Sequence, residues 1–374
     1  RKRKRKRERE RESINILILS SFSHFMMADV KPGTASSSQV LEMIQDEVSD
    51  FYSSGVQRIP SSELTPLVFL RDFVAQNRPV IITEATNDWP SLSNWNKNKL
   101  SELLGDSIVH VAVTPDGRGD DVKQVNPSSS SSSSSPETLF VKPWETTVPF
   151  SRFISMIEEH EERIIKGEES NKEECVVYLS HQNDSFRQEC EGISCLLPPD
   201  GGSIVNMGKH VFGGPPEAIN LWIGEARAIS SAHKDFYENL YFVTRGQKRI
   251  FLAPPALLPL LREEQFQSAT YSPKSQGVDP LQCQKNDLLV EKEEDKVPWI
   301  TKRLSVLQQT HPNLPIFLAE VNEGECLFLP SLWYHEVHQS CLTVAVNYWF
   351  DMQFNTQFIF YRSIRLLDGV DQPA

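Results

Sequence analysis

The sequence predicts a mainly β, α+β architecture: a barrel or jelly roll of short strands, with helices on its N-terminal and C-terminal flanks. Three observations predict it. From Cys175 onward, short runs rich in Val, Ile, Tyr, Phe and Trp succeed one another, broken by Gly and Pro, which is the punctuation of strands and turns. On both flanks the apolar residues recur at helical spacing instead. No repeat of fixed period accompanies the strands, so solenoids and propellers are set aside.

Residues 1–27 are read as a disordered, non-native leader. Arg1 to Glu12 alternates Arg, Lys and Glu with no folding logic, Ile14 to Leu19 is short for a secretory signal, and Met26 or Met27 serves as the native start. A nuclear-localisation or polyanion patch is the other use of such a run. Residues 28–170 are expected to form a helical and strand support region. Within it Gln39 to Tyr52 places Val40, Leu41, Met43, Ile44, Val48 and Phe51 at helical spacing behind the cap candidates Ser36 to Ser38. Arg78 to Ile82 and Ser107 to Val113 read as strands, the second stopped by the turn Thr114-Pro115-Asp116-Gly117. The Arg-Gly-Asp tripeptide after that turn, Arg118 to Asp120, reads as a solvated loop. Ser128 to Ser135, closed by Pro136, cannot bury enough apolar area to order itself, so 127–136 is a disordered insertion. Val148 to Lys166 is the second helix, with Pro149 in its first turn and Gly167 beyond its end.

Residues 171–353 are expected to hold the barrel, with strands at Val176 to Leu179, Ala218 to Ile223, Leu240 to Thr244, Lys248 to Ala253, Glu325 to Leu329 and Thr343 to Phe350. Residues 354–374 form a C-terminal helix. Its Phe358, Ile359, Phe360, Tyr361, Ile364 and Leu366 give more apolar surface than a lone exposed helix shows, so a dimer interface or intramolecular packing covers it.

Composition bounds the function. With 374 residues, 39% hydrophobic and 24% charged, the chain builds a large core and is neither wholly disordered, collagen-like nor a disulfide miniprotein. The net charge is -12, and the first twelve residues carry nine Lys/Arg against three Glu, so the rest stands near -18. Such a body repels phosphate backbones, which argues against sequence-specific nucleic-acid binding, and attracts basic protein segments. Six Cys without a CxxC pair suit a reduced compartment, the cytoplasm or the nucleus. No run approaches the ~20 apolar residues of a membrane span.

His233-Lys234-Asp235 is the first candidate site. In an extended segment residues i and i+2 project from one face, so the imidazole and the carboxylate converge while Lys234 points away. Of nine His, His335 is the best second one, delivered by an apolar strand and a Pro-bounded bend into bulky aromatics. Two His and one carboxylate leave three octahedral positions open, the facial triad of non-haem Fe(II) oxygenases, although the same set suits a catalytic zinc. His338 is the rival, but a step of i+3 reverses its face in a strand. Lys248 opens the strand after Arg245-Gly246-Gln247, and antiparallel pairing would set it beside the strand that follows the H-x-D segment. A Lys facing the barrel interior needs an anion, such as a dicarboxylate cosubstrate; a solvent-facing one needs nothing.

Ile219 to Gly224, His233 to Tyr241, Gly246-Gln247-Lys248, Trp333 to Val337 and Val346 to Trp349 together resemble the JmjC-domain 2-oxoglutarate oxygenases, and within them the small members without reader domains. The likeness extends from about Leu41 to the C-terminal region, including Asn77-Arg78-Pro79, Val111 to Gly117 and Val297 to Ile300; parts of the Asn183 to Pro216 and Gln265 to Lys296 loops depart from it. The resemblance implies a double-stranded β-helix with Fe(II) on His233, Asp235 and His335. It also implies that Lys248 holds the distal carboxylate of 2-oxoglutarate, helped by Tyr178 and Ser230, with Asn239 and Asn347 near cosubstrate and metal, and O2 as the second substrate. The bland readings are that Tyr178, Trp222, Trp333 and Trp349 are core aromatics and that Asn347 only satisfies backbone groups. The implied activity is hydroxylation of a lysine in a protein target of the GTP-binding type. Histone lysine demethylation and a non-enzymatic cupin-like scaffold are the alternatives, and peptidase activity finds no nucleophile or dedicated zinc-water site.

Overall fold

The computed structural model describes residues 46–52, 55–126, 135–167 and 173–367. The leader, the serine run and most of the first helix therefore lie outside the described residues. In chain order the strands are β1 (Gln57–Pro60), β2 (Val80–Thr83), β3 (Ile108–Thr114), β4 (Arg118–Gly119), β5 (Asp121–Val125), β6 (Glu137–Lys142), β7 (Trp144–Pro149), β8 (Val176–Tyr178) and β9 (Ala218–Gly224). They continue as β10 (Ile229–His233), β11 (Tyr237–Arg245), β12 (Gln247–Ala253), β13 (Glu263–Pro273), β14 (Leu288–Ile300), β15 (Phe317–Asn322), β16 (Cys326–Leu329), β17 (Tyr334–Gln339) and β18 (Thr343–Asp351). Three of the helices, α1 (Phe150–Ile165), α2 (Gly202–Phe212) and α3 (Thr356–Leu367), pack on these sheets.

Strands β9, β18, β11 and β16 lie side by side in one sheet, and β10, β17, β12 and β15 in the other. The chain thus changes sheet between β9 and β10, β10 and β11, and β11 and β12, the winding of a jelly roll. Period-two alternation explains why both faces of these strands are apolar. On β11, Leu240 and Phe242 join the cluster outside the barrel, with helix residues such as Phe153 and Ile204, while Tyr241 and Val243 join the cluster between the sheets.

One expectation about Lys248 is overturned here. Its strand does not pair with β11; β12 lies between β15 and β17 in the opposite sheet, with Lys248 facing Val321 and Gln339. The crossing occurs at Gly246, whose φ of 82° favours glycine. An added Cβ there would meet the Leu342 carbonyl at 2.5 Å. Lys248 is fully buried, which removes the solvent-facing reading.

Three further expectations are corrected. The Arg-Gly-Asp tripeptide is not a solvated loop: Arg118 and Gly119 form β4, paired in parallel with Ile229 and Ser230 of β10. Arg118 also reaches the wholly buried Glu336 at 3.2 Å. The segment Gln265 to Lys296 is mostly a long antiparallel pair, β13 with β14, and Asn183 to Pro216 is largely helical. In both, local turn residues hid elements whose stability comes from packing on the barrel. Finally, β2 joins β16 and β4 joins β10, so the support region contributes strands to the barrel sheets themselves. On α3, Tyr361 and Ile364 are buried against the barrel while Ile359, Phe360 and Leu366 stay exposed. Among the described residues no helix is long and apolar enough to cross a membrane.

Candidate metal centre and cosubstrate pocket

His233 ends β10 and His335 is the second residue of β17; the two are direct cross-strand partners, after an irregularity in the ladder beyond Ser230. Their rings lie 4.2 Å apart. Asp235, two residues beyond the strand end, is fixed by its carbonyl, which accepts from the Leu332 N–H at 2.9 Å. Its Oδ2 stands 3.5 Å from His335 Nε2 and 4.0 Å from His233 Nε2. The three ligand atoms all fall within 4.8 Å of one another.

Each imidazole is oriented from behind. His233 Nδ1 lies 2.7 Å from the Ser231 carbonyl and His335 Nδ1 3.0 Å from the Trp333 carbonyl, so each Nδ1–H is committed to backbone and each Nε2 lone pair is free to bind metal. Burial, reinforced by the neighbouring His233, lowers the His335 pKa to about 4 and keeps it neutral, as a ligand must be. This donor set suits a divalent transition ion with open positions. His338, the rival, points to the other face, where it bonds Glu336 at 2.8 Å.

Lys248 lies deeper in the barrel. Its ammonium donates to the Tyr178 hydroxyl at 3.1 Å and to Gln339 Oε1. Among the described residues no carboxylate pairs with it. Burial lowers its pKa to about 7, so the amine gives up its proton near neutrality unless an anion beside it favours the charged form. Tyr178 comes from β8, in a third sheet, and burial raises its hydroxyl pKa against a hydrogen bond with Ser230. Gly224 leaves room for this group: a Cβ there would lie 2.4 Å from the Gln339 amide and 2.6 Å from the Tyr178 ring.

A cleft of about 480 Å³ opens over the triad, lined among others by Tyr178, Ser230, His233 and Asp235. Asn239 lines a smaller inner pocket with His233, Asp235 and His335. Asn347 does not line it: fully buried, it donates to Asn239 at 3.1 Å and accepts from the Trp222 indole at 2.8 Å, and so supports Asn239 from behind. Trp222 and Trp349 line the inner pocket rather than serving only as core, whereas Trp333 is core.

Sequence reasoning missed four residues of the site. Gln339 was legible, since it stands four positions after His335 and so shares its face. Asp120, Glu145 and Trp299 line the cleft from three distant strands or strand ends; the sequence marked Asp120 only as part of a loop tripeptide and Trp299 only as part of the family likeness, neither as a site residue. Asp120 lies within reach of His233's charge, and burial raises its pKa. Trp299 stacks with His233, the rings 6.3 Å apart and 7° from parallel.

Comparison with known proteins agrees with this geometry. A cupin-like domain model matches residues 66–356. The chain is 33% identical to the human bifunctional peptidase and (3S)-lysyl hydroxylase JMJD7, over 83% of this chain and 88% of that one. It is 31% identical to JmjC domain-containing protein E of Dictyostelium discoideum, over 86% and 94% of the two chains. To the lysine-specific demethylase JMJ32 of Arabidopsis thaliana it is 32% identical, over 82% and 85%. A jelly roll that brings two histidines and an aspartate together, and relatives that match it nearly end to end, lead to one conclusion: the chain belongs to the cupin-like JmjC family of 2-oxoglutarate-dependent oxygenases.

Proposed function

We propose that the protein is an Fe(II)- and 2-oxoglutarate-dependent dioxygenase that hydroxylates a lysine side chain of a protein substrate, with a GTP-binding protein as the target type. The observation that carries the reading is the convergence of His233, Asp235 and His335 below an open cleft, with an unpaired buried ammonium, Lys248, deeper in the same barrel. In this reading His233, Asp235 and His335 hold the metal, and Lys248 receives the distal carboxylate of 2-oxoglutarate, with Tyr178 and Ser230 as hydroxyl partners. Asn239 presents a polar group to the inner pocket and Asn347 keeps it in place. Bound there, iron with 2-oxoglutarate and O2 supplies the oxidant for a C–H bond, with succinate and carbon dioxide as coproducts. The protein's share is position and dryness: the walls of Trp222, Trp299 and Trp349 exclude water, and whichever substrate carbon they hold nearest is the one oxidised.

The activity in the name of human JMJD7, (3S)-lysyl hydroxylase, supports hydroxylation. The name of JMJ32, a lysine-specific demethylase at nearly the same identity, supports N-demethylation as the second reading. Convergence of the triad speaks against a non-enzymatic scaffold. To test the reading, the protein is incubated with Fe(II), 2-oxoglutarate and lysine-bearing proteins, either a GTP-binding protein or a methylated histone tail, and the products are weighed by mass spectrometry. A gain of one oxygen on lysine is expected; loss of a methylene instead selects demethylation. Neither change above an Asp235→Ala control would overturn both.

A further inference from the structure

The cleft carries two acidic groups that the oxygenase chemistry does not use. Asp120 follows β4, which pairs with the first two residues of β10, and it lines the cleft together with His233. Glu145, on β7, lies opposite Ala112 of β3, and Ala112 lies opposite Tyr178 of β8. This row of three points the same way, and all three residues line the cleft with Asp120 and Trp299. Glu145 therefore reaches the cleft from the row that ends at Tyr178, with the small Ala112 leaving space between them.

Neither carboxylate has a hydrogen-bond or ion-pair partner among the described residues. The cations that could neutralise them are engaged elsewhere. Lys142, whose charge reaches Asp120, pairs with Glu293 at 2.8 Å. Lys234, which also lines the cleft, is bound by Glu263. Glu145 is exposed where the cleft meets solvent, while Asp120 sits further in. For Asp120, partly withdrawn from water without a partner, a cationic ligand offsets the cost, while the exposed Glu145 adds a second acceptor at the mouth.

Building on the lysyl-oxygenase reading, we propose that Asp120 and Glu145 are its specificity-determining residues, clasping the ammonium of an unmethylated substrate lysine while its methylenes lie against Trp299. A primary ammonium brings three N–H donors to two carboxylates, whereas a trimethylated one brings none. The part of the Trp299 indole that lines the cleft, beside its contacts with His233 and Phe140, suits the aliphatic stem. The clasp thus selects lysine over its trimethylated form and over neutral isosteres.

The test uses the full chain loaded with Mn(II) in place of iron and with 2-oxoglutarate, so that binding is read without turnover. Four fluorescent peptide pools, random except for a central lysine, norleucine, arginine or trimethyl-lysine, are titrated by anisotropy. The lysine pool is expected to bind about tenfold or more tightly than the norleucine and trimethyl-lysine pools, and the arginine pool shows whether the clasp also takes a guanidinium. Asp120→Asn and Glu145→Gln should each reduce that preference, and the double variant should abolish it, with 2-oxoglutarate affinity unchanged. Asn is well tolerated at the φ of 50° that Asp120 adopts, so the backbone survives the first change. A lysine pool that binds no better than norleucine, or a preference that survives in the double variant, overturns the clasp. Selective lysine binding with no oxidised lysine once iron is restored supports the clasp and overturns the oxygenation reading instead.

Discussion

Lys248 and Tyr178 meet at 3.1 Å inside the barrel although 70 residues and two different sheets separate them. The contact joins a buried ammonium to a buried phenol and leaves the positive charge without a counterion among the described residues. In the proposed function a dicarboxylate cosubstrate completes it. Lys248→Met should therefore weaken 2-oxoglutarate binding by about 10- to 100-fold, the loss of a charge-assisted bond. The same change should leave folding stability equal or higher, because it removes a buried unpaired charge. Calorimetric titration of 2-oxoglutarate into the Mn(II) protein, beside a denaturant melt, checks both.

The same residue sets a pH dependence. Burial lowers the Lys248 pKa from 10.5 to about 7. Between those values the unfolded chain holds a proton that the folded, cosubstrate-free chain has released. Stability of the free protein should accordingly rise as pH increases through this window, and the penalty is fully present below about pH 7. Binding of 2-oxoglutarate restores the proton, so its affinity should fall up to about tenfold per pH unit above neutrality. Affinity measured from about pH 6 to 9 in wild type, set against a flat profile in Lys248→Met, is the check.

Gly224 makes a steric prediction. A methyl group there would overlap both the Gln339 amide and the Tyr178 ring. Gly224→Ala should cost about 1–3 kcal/mol of stability through overpacking. It should also weaken 2-oxoglutarate more than metal, since it displaces Tyr178 and not the triad. Separate titrations of the two ligands distinguish this from general unfolding.

Glu336 is fully buried beside His335 on β17. Burial alone would raise its pKa, but His338, the Ser305 N–H and Arg118 outweigh it and hold the group at about 2. Its stabilising contribution is present above the ordinary carboxyl value of 4.5 and is lost as pH falls from there towards 2. Arg118→Met removes one partner of this buried pair and should cost about 3 kcal/mol. Acid unfolding should then begin at a higher pH, as circular dichroism against pH would report.

Glu263 links the candidate metal site to the C-terminal helix. It accepts from Tyr334 at 2.6 Å, from Lys234 and from Arg365 of α3. Tyr334 directly precedes His335, and Lys234 lies between His233 and Asp235. Glu263→Gln should lower metal affinity by about tenfold, as for other groups that orient ligands from behind. Amide exchange of α3 should rise in the same variant, because Arg365 loses its anchor. Unchanged exchange would mean that the Arg365–Glu263 pair does not hold the helix.

Much of the site was legible in the chain because it is local. The H-x-D spacing, the apolar strand before His335 and the Gly-Gln-Lys turn are short-range patterns whose meaning depends only on the period of two, and that period put His338 on the face opposite His335, where it meets Glu336. Period two also carried the strand succession that predicts a jelly roll. What it could not carry was which strand lies next to which. Lys248 was expected beside β11 because a tight turn normally makes a hairpin; at Gly246 the chain instead crosses to the other sheet, and Gln339 becomes the neighbour. The Arg-Gly-Asp segment looked solvated because Gly and Asp favour loops, yet the tertiary structure buries Glu336 and thereby draws Arg118 in. Asp120, Glu145 and Trp299 meet over the metal site only because four sheets pack around one cleft. Local residue order determines strands, turns and ligand spacing through backbone geometry. The shape and charge of the cleft arise from contacts between distant segments, which burial of apolar surface selects only once the whole chain has folded.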